Sequence, residues 1–398
     1  MKKLFYATAL CMVFSTGAFA QKANVKAAEK IAKSDKPNFE EARGLIKSAR
    51  ENAETKADPY TWYVSGLVEN QEFEKELIKD MMPNGQGDKT RMYSSLLRVF
   101  PFYKTADSLD RVPNDKGKVK PKYEKDIMKD LKSDHLHLIN AGAHFMNEKK
   151  YDKATEAFDQ FLAIKKLPMF AEDNTMTAVD SNAMIAGFYG AVSAYQSKNY
   201  DKAISIANAA KDLDYQKNEI YQLLADSYLK KGDSVSYRKV LEEGMKIFPK
   251  ESYYTLNMTN SFIQNKEYDK AIEFLNNAIA QDPKNAQLYD VMGKLYEQKE
   301  DYKKAAEFFQ KSIDADPEYA EGYFDLGRTY YNEGVTLKSG EKMDPATEAK
   351  AKEWFQKALP MLEKAYKTMP KETYYILGNV YYNLGMNDKQ KEIMDANK

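Results

Sequence analysis

The sequence predicts an all-α protein made of antiparallel helix pairs stacked side by side, and three observations in its 398 residues predict it. Pro249, Pro283 and Pro317 stand 34 residues apart, and so do Tyr228, Phe262, Tyr296 and Tyr330. Small residues keep the same period at Ala191, Ala225, Thr259, Gly293 and Gly327, and again at Ala210, Gly244, Ala278 and Ser312, as contact points between helices require. Composition supplies the third: 13% aromatic residues, including 29 Tyr, carry enough apolar surface to offset chain entropy, so the chain folds. Sixty basic residues balance sixty acidic ones along the whole length, which leaves no electrostatic footprint for nucleic acid or an anionic membrane.

The clearest period, residues 286–319, reads Tyr289-x2-Met292-Gly293-x2-Tyr296, then Ala305-x3-Phe309, then Pro317. Gly293 lets the first helix of the pair (A) approach the second (B), Tyr296 and Phe309 fill the space between them, and Pro317 stops helix B. These residues resemble the signature of the tetratricopeptide repeat (TPR) family. One such hairpin cannot bury its own apolar face, so the resemblance implies a TPR solenoid, a right-handed superhelix whose concave wall is built from the A helices.

Taken in order, residues 1–20 read as a secretory signal peptide. Lys2 and Lys3 precede an apolar run from Leu4 to Phe14, and Ala18-Phe19-Ala20 forms a small-x-small cleavage site. The run is too short to span a bilayer, and no later stretch is apolar enough to form an integral membrane segment. The single cysteine, Cys11, sits inside the run without the small residue expected before a lipidated cysteine, so the expected mature protein has neither a lipid anchor nor a thiol.

Residues 21–134 are expected to hold degenerate TPR-like helices. Asn38-Phe39-Glu40-Glu41-Ala42 looks like the start of a helix B, and Trp62 with Gly66 looks like the Trp and Gly of the next helix A. The period fails from Glu72 to Asp134, where Pro83 to Lys89 and Pro113 to Lys122 read as loops around a helix near Arg91 to Leu109. Residues 135–398 read as the TPR array. A first repeat from His135 to Pro168 precedes a fifteen-residue insertion, and contiguous repeats follow at 184–217, 218–251, 252–285 and 286–319. The next repeat is split: Tyr323, Leu326, Gly327 and Tyr330 supply helix A, but the matching helix B residues, Ala358, Leu362, Ala365 and Pro370, come nineteen positions late. Both helices are therefore expected to be extended into a projecting hairpin, about 330–357, with Asp344 and Pro345 opening the second. Pro360 then predicts a kink in that second helix. A last A helix, Glu372 to Leu384, and a C-terminal capping helix, Asp388 to Ala396, close the chain.

No catalytic, cofactor or metal site is expected. His135, His137 and His144 are assigned to one helix, at spacings that do not chelate one ion. Gly85-Gln86-Gly87-Asp88-Lys89-Thr90 is superficially similar to a phosphate loop, but Asp88 interrupts it and no strand precedes it. Asp107-Ser108-Leu109 and Asp233-Ser234-Val235 match a short pattern that resembles O-glycosylation sites of some Gram-negative periplasms, and both are also ordinary turn and cap residues.

The resemblance places repeat positions 2, 5, 9, 12 and 13 on the concave wall. In the last two A helices they are Phe324, Arg328, Tyr331 and Asn332, then Tyr375, Asn379, Tyr382 and Asn383. Aromatic contact area beside Asn and Arg suits an extended peptide or a partner helix. The lysine and asparagine clamp that some family members use for C-terminal carboxylates is not reproduced by Gln287, Asp290 and Lys294. The expectation is an exported, periplasmic, non-enzymatic scaffold or adaptor whose partner is another envelope protein or peptide segment. The alternative is a glycan-binding helical protein of the cell envelope, which the presence of only two Trp and the lack of an anchor cysteine disfavour.

Overall fold

The computed structural model describes residues 20–113, 116–340 and 344–397. The expected leader falls outside these except for Ala20, and so do three residues at the tip of the expected hairpin, 341–343. Among the described residues every regular element is helical. The chain divides into two compact units, residues 1–237 and 238–398.

In the first unit α1 (residues 20–32) buries Val25, Ala28 and Ala32. α2 (Phe39–Glu51) starts where its sequence indicates, with the Asn38 side chain accepting from the Glu41 N–H. α3 (Pro59–Met81) opens on an Asp58 cap and Pro59, and α4 (Lys89–Asp110) on an Asp88 cap. These two are antiparallel: Gly66 lies against the Tyr103 ring, Ser95 donates to Glu72 at 2.6 Å, and the Asp88 N–H donates to Glu76. The region without a period is thus a long, regular hairpin. Its 23- and 22-residue helices are too long for a 34-residue frame, which is why the pattern disappears there.

After α5 (Glu124–Asp134), α6 (His137–Asn147) and α7 (Tyr151–Ile164) form the first repeat, with Phe158 packed on Gly142. One expectation needs correction: His135 is not in the helix that holds His137 and His144 but in the turn between α5 and α6. There it is 4% exposed, stacked 3.9 Å from Phe161 and bonded to the Phe161 carbonyl at 2.9 Å, so packing fixes it. The insertion after Pro168 is no free loop. A 3-10 turn (Pro168–Phe170) and α8 (Asn174–Thr177) sink Phe170 and Met176 into the core. α9 (Ser181–Gln196), α10 (Tyr200–Ala210) and α11 (Lys217–Lys231) follow. α12 (Ser234–Ile247) runs across the division.

The second unit continues with α13 (Ser252–Gln264), α14 (Tyr268–Gln281), α15 (Ala286–Gln298) and α16 (Tyr302–Ala315). A Cβ on Gly293 would lie 2.5 Å from the Phe309 ring, the close approach of A and B helices that this glycine predicts. α17 (Ala320–Lys338) and α18 (Pro345–Tyr366) are the extended pair, and Asp344 caps α18 by accepting from the Thr347 N–H at 2.7 Å. Gly327 meets Leu362 and, two turns on, Gly334 meets Phe355, so the pair stays in close antiparallel contact along its length. α18 continues through Pro360, whose ring is exposed; Gln356, which loses its hydrogen-bond donor there, is exposed as well, so water can satisfy its carbonyl. α19 (Pro370–Asn383) and α20 (Asn387–Ala396) end the unit.

A backbone device with the same period joins A to B in the repeats. Lys198, Gly232, Lys266 and Glu300, each 34 residues from the next, have φ of 63°, 79°, 59° and 60°. Behind each, an N–H bonds back to the last turn of helix A: Asn199 to Ala194, Asp233 to Tyr228, Glu267 to Phe262 and Asp301 to Tyr296, at 2.9–3.0 Å. This is the Schellman stop, and only one of the four positions is the glycine it favours. Gly334 is next in the series, yet it stays helical. Val335 and Leu337 pack onto the core built around Phe355 and Leu362, which rewards carrying α17 onward.

Candidate functional site

The eight expected groove residues lie on α17 and α19, and the structure treats them unequally. Tyr375 and Tyr382 are 60% and 61% exposed although one face of α19 is core, and their i, i+7 spacing puts both on one outer stripe. Tyr331 reaches that stripe from α17. Its ring packs 5.9 Å from Phe355, and burial raises its phenol pKa; the nearby Tyr375 adds to the rise and Asn379 opposes it. Asn379 therefore stands between the two helices. Asn383 is engaged from both sides, accepting from Lys338 Nζ at 2.8 Å and donating to the Asn379 carbonyl at 2.8 Å. Asn332 is exposed. The structure thus gathers Tyr331, Tyr375, Asn379, Tyr382 and Asn383 into one aromatic and amide surface.

Arg328 and Phe324 belong to a different arrangement. Arg328 Nη2 donates to Glu297 and to Asp325, both at 2.8 Å, and its guanidinium lies 6.0 Å from the Phe324 ring. Thr329 Oγ1 donates to the same Glu297 at 3.2 Å. On the other side of Asp325, Lys294 Nζ sits 3.0 Å away while also donating to Asp290 at 2.6 Å. Asp290 is 1% exposed and its Oδ1 has no hydrogen-bond partner. Burial pushes its carboxyl above the usual range; Lys294 opposes that and the Asp325 carboxylate reinforces it. Asp290, Lys294 and Glu297 of α15 and Asp325 and Arg328 of α17 are spent on one another. Sequence reasoning noticed Asp290 and Lys294 but not their link to Asp325, because that contact depends on how adjacent A helices abut. The available signal was a set of charges at i, i+4 and i, i+3 spacings within otherwise buried stripes.

Other sequence candidates lie elsewhere. Asp88 is a helix cap and Gly87 packs on α3 beside Asp80, so the glycine-rich loop closes the α3–α4 turn. Asp107-Ser108-Leu109 is helical, with Asp107 paired to Arg111 at 2.9 Å. Asp233 accepts from the Ser236 N–H at the start of α12, where Val235 is 80% exposed. Among the described residues, no group of His, Cys, Asp or Glu has metal-holding geometry, and no helix is long and apolar enough to cross a membrane.

The tetratricopeptide repeat family matches residues 286–319 and 371–396, which are α15–α16 and α19–α20. The chain is similar to solved structures of MamA, one at 21% identity over 44% of this chain and 96% of that one (TM-score 0.33). A second, MamA 41-end from Desulfovibrio magneticus RS-1, gives 18% identity over 45% and 95% (TM-score 0.33). YrrB, described as a TPR protein with an unusual peptide-binding site, gives 17% over 50% and 96% (TM-score 0.34). No curated protein matches the sequence.

Proposed function

We propose that this tetratricopeptide-repeat protein is an exported, periplasmic scaffold or adaptor that holds another envelope protein or a peptide segment, without catalysis or a cofactor. The observation that carries the reading is the pair Tyr375 and Tyr382, two large rings left mostly in water on a helix whose opposite face is core. Rings of this kind lose little conformational freedom on binding, and a few of them usually dominate an interface. Asn379 and Asn383 are already engaged, the first with Tyr331 and the second with Lys338 and the Asn379 carbonyl, and so hold the surface around the rings in place. Export rests on the basic, apolar and small-x-small order of residues 1–20.

Replacing both rings, Tyr375→Ala with Tyr382→Ala, is expected to lower recovery of crosslinked envelope partners at least tenfold while melting stays near wild type, because neither ring is core. Recovery at the wild-type level would remove the groove from the proposal. Intact-mass measurement of exported protein is expected to give a chain beginning at Gln21. A species that keeps Cys11 or carries a lipid mass would overturn the periplasmic part alone.

A further inference from the structure

Because α16 is 14 residues long and α18 is 22, a step is left beside α16, and at that step lies a cavity of about 800 Å³. That volume falls within the range of ligand pockets, roughly 300–1,000 Å³. Thr329, Tyr330 and Glu333 line it from α17. At about 100° per residue these face away from Phe324, Arg328 and Tyr331, so this cavity and the tyrosine surface occupy opposite sides of one helix.

Its lining is open for binding in a way that the Asp290–Lys294–Asp325 cluster is not. Tyr330 and Trp354 lie 5.6 Å apart and form an aromatic wall, and among the described residues the Trp354 indole N–H has no acceptor. Lys303, Lys311 and Lys357 stand at the rim, none within ion-pairing distance of a carboxylate among the described residues; Lys311 and Lys357 rest over the Phe308 and Trp354 rings at 4.6 and 4.3 Å. Among the described residues, Glu307 and Glu333 also make no hydrogen bond or ion pair.

We propose that this cavity is a second docking site, and that it receives an acidic peptide segment of a partner protein bearing one aromatic or long aliphatic anchor. The anchor packs against Tyr330 and Trp354. Carboxylates of the segment meet the three lysines, an excess of cations that favours acidic over basic sequences. The two glutamates accept backbone N–H groups, which every peptide supplies and which explains acceptors among the lysines. An isolated small anion would leave the aromatic wall and both glutamates unused.

The test is to pan a displayed library of random heptapeptides against the full chain and then measure a synthetic peptide of the enriched consensus by Trp fluorescence and calorimetry. The expected consensus is an aromatic or aliphatic residue flanked by Asp or Glu. Its affinity is expected to fall at least tenfold in Trp354→Ala and in Lys311→Glu, to weaken as salt rises, and to persist in the Tyr375→Ala, Tyr382→Ala variant. Failure of the tyrosine proposal would leave these results intact. A consensus without acidic residues, or affinity unchanged in Trp354→Ala, overturns the inference. So does an empty selection, including one accompanied by Trp354-dependent binding of neutral oligosaccharides.

Discussion

Residues 184–319 repeat a 34-residue frame, whereas residues 59–134 follow no period, yet both bring neighbouring helices together by setting a glycine against an aromatic ring. Gly293 faces Phe309 in the periodic region and Gly66 faces Tyr103 in the other. Buried charge is handled in two ways, and the first unit contains both. In the first unit Arg43, Arg91 and Arg98 surround Glu69 and Glu72, clasping α2, α3 and α4. Although burial alone would raise it, the Glu72 carboxyl is held below its ordinary value by Arg43, Ser95 and Arg91. In the repeats Asp290 and Asp325 share Lys294, and the Asp290 carboxyl goes the other way. A buried carboxylate surrounded by guanidinium groups is stabilised as the anion; one crowded by a second carboxylate favours its proton.

The largest expected effect comes from breaking the arginine clasp. Glu72→Ala leaves Arg43 and Arg91 short of a partner and Ser95 without its acceptor, at a cost of about 3 kcal/mol or more. The chain has two Trp, one in each unit, so fluorescence of Trp62 in a Trp354→Phe background follows the first unit by itself. A loss below about 1 kcal/mol would show that the clasp is a surface ornament and that the α3–α4 hairpin rests on its aromatic packing alone.

The same measurement from Trp354 follows the repeats. Gly293→Leu forces a side chain into the Phe309 ring, and overpacking of this kind costs roughly 1–3 kcal/mol. An unchanged melting curve would mean that the glycine ladder is not where A and B helices touch.

The comparison also explains what the sequence discloses. Repetition exposed the ladder residues and the helix-stopping prolines, copied at a fixed interval, and the split repeat as a break in that interval, while the Asp344 cap was legible from capping chemistry alone. The α3–α4 region offered one copy only: Gly66 was recognisable, but its partner Tyr103 lies 37 residues away with no second instance to align. The left-handed stops at Lys198, Lys266 and Glu300 were hidden for another reason. They share a backbone conformation that lysine and glutamate do not signal. Of the groove, the exposed rings of α19 were legible as a spacing, whereas the diversion of Arg328 into ion pairs depends on contacts between repeats. The cavity beside α16 follows from helix length, which the late helix B residues predicted, but its lining needed the packing.

A pH experiment separates the two ways of burying a carboxylate. Asp134 in the first unit is 4% exposed, its Oδ2 has no partner, and burial, with Asp130 and Glu74 nearby, pushes its carboxyl up to about 8. An unfolded Asp titrates near about 3.9, so between roughly pH 4 and 8 the folded form holds a proton that the unfolded form has released. The stability this gives is fully present below pH 4 and is lost as pH rises through 8, at about 1 kcal/mol per pH unit. Asp134→Asn is expected to flatten that decline in a Trp62-detected melt. An identical slope in the variant would assign the proton to another group.

The smallest effect tests the device shared by the repeats. A non-glycine residue at φ near 60° carries steric strain of roughly 1 kcal/mol, part of which glycine returns through its freer unfolded state. Lys266→Gly and Glu300→Gly are therefore expected to stabilise the second unit by about 0.5 kcal/mol each, and Gly232→Lys to destabilise its own turn by a similar amount. Gly334 is the internal control. It occupies the same place in the frame but is helical and pressed against Phe355, so Gly334→Lys is expected to act through overpacking and cost several times more. If Lys266→Gly destabilises instead, the lysine stem must be covering apolar surface at the turn, and its left-handed conformation is maintained by that contact and not tolerated despite its strain.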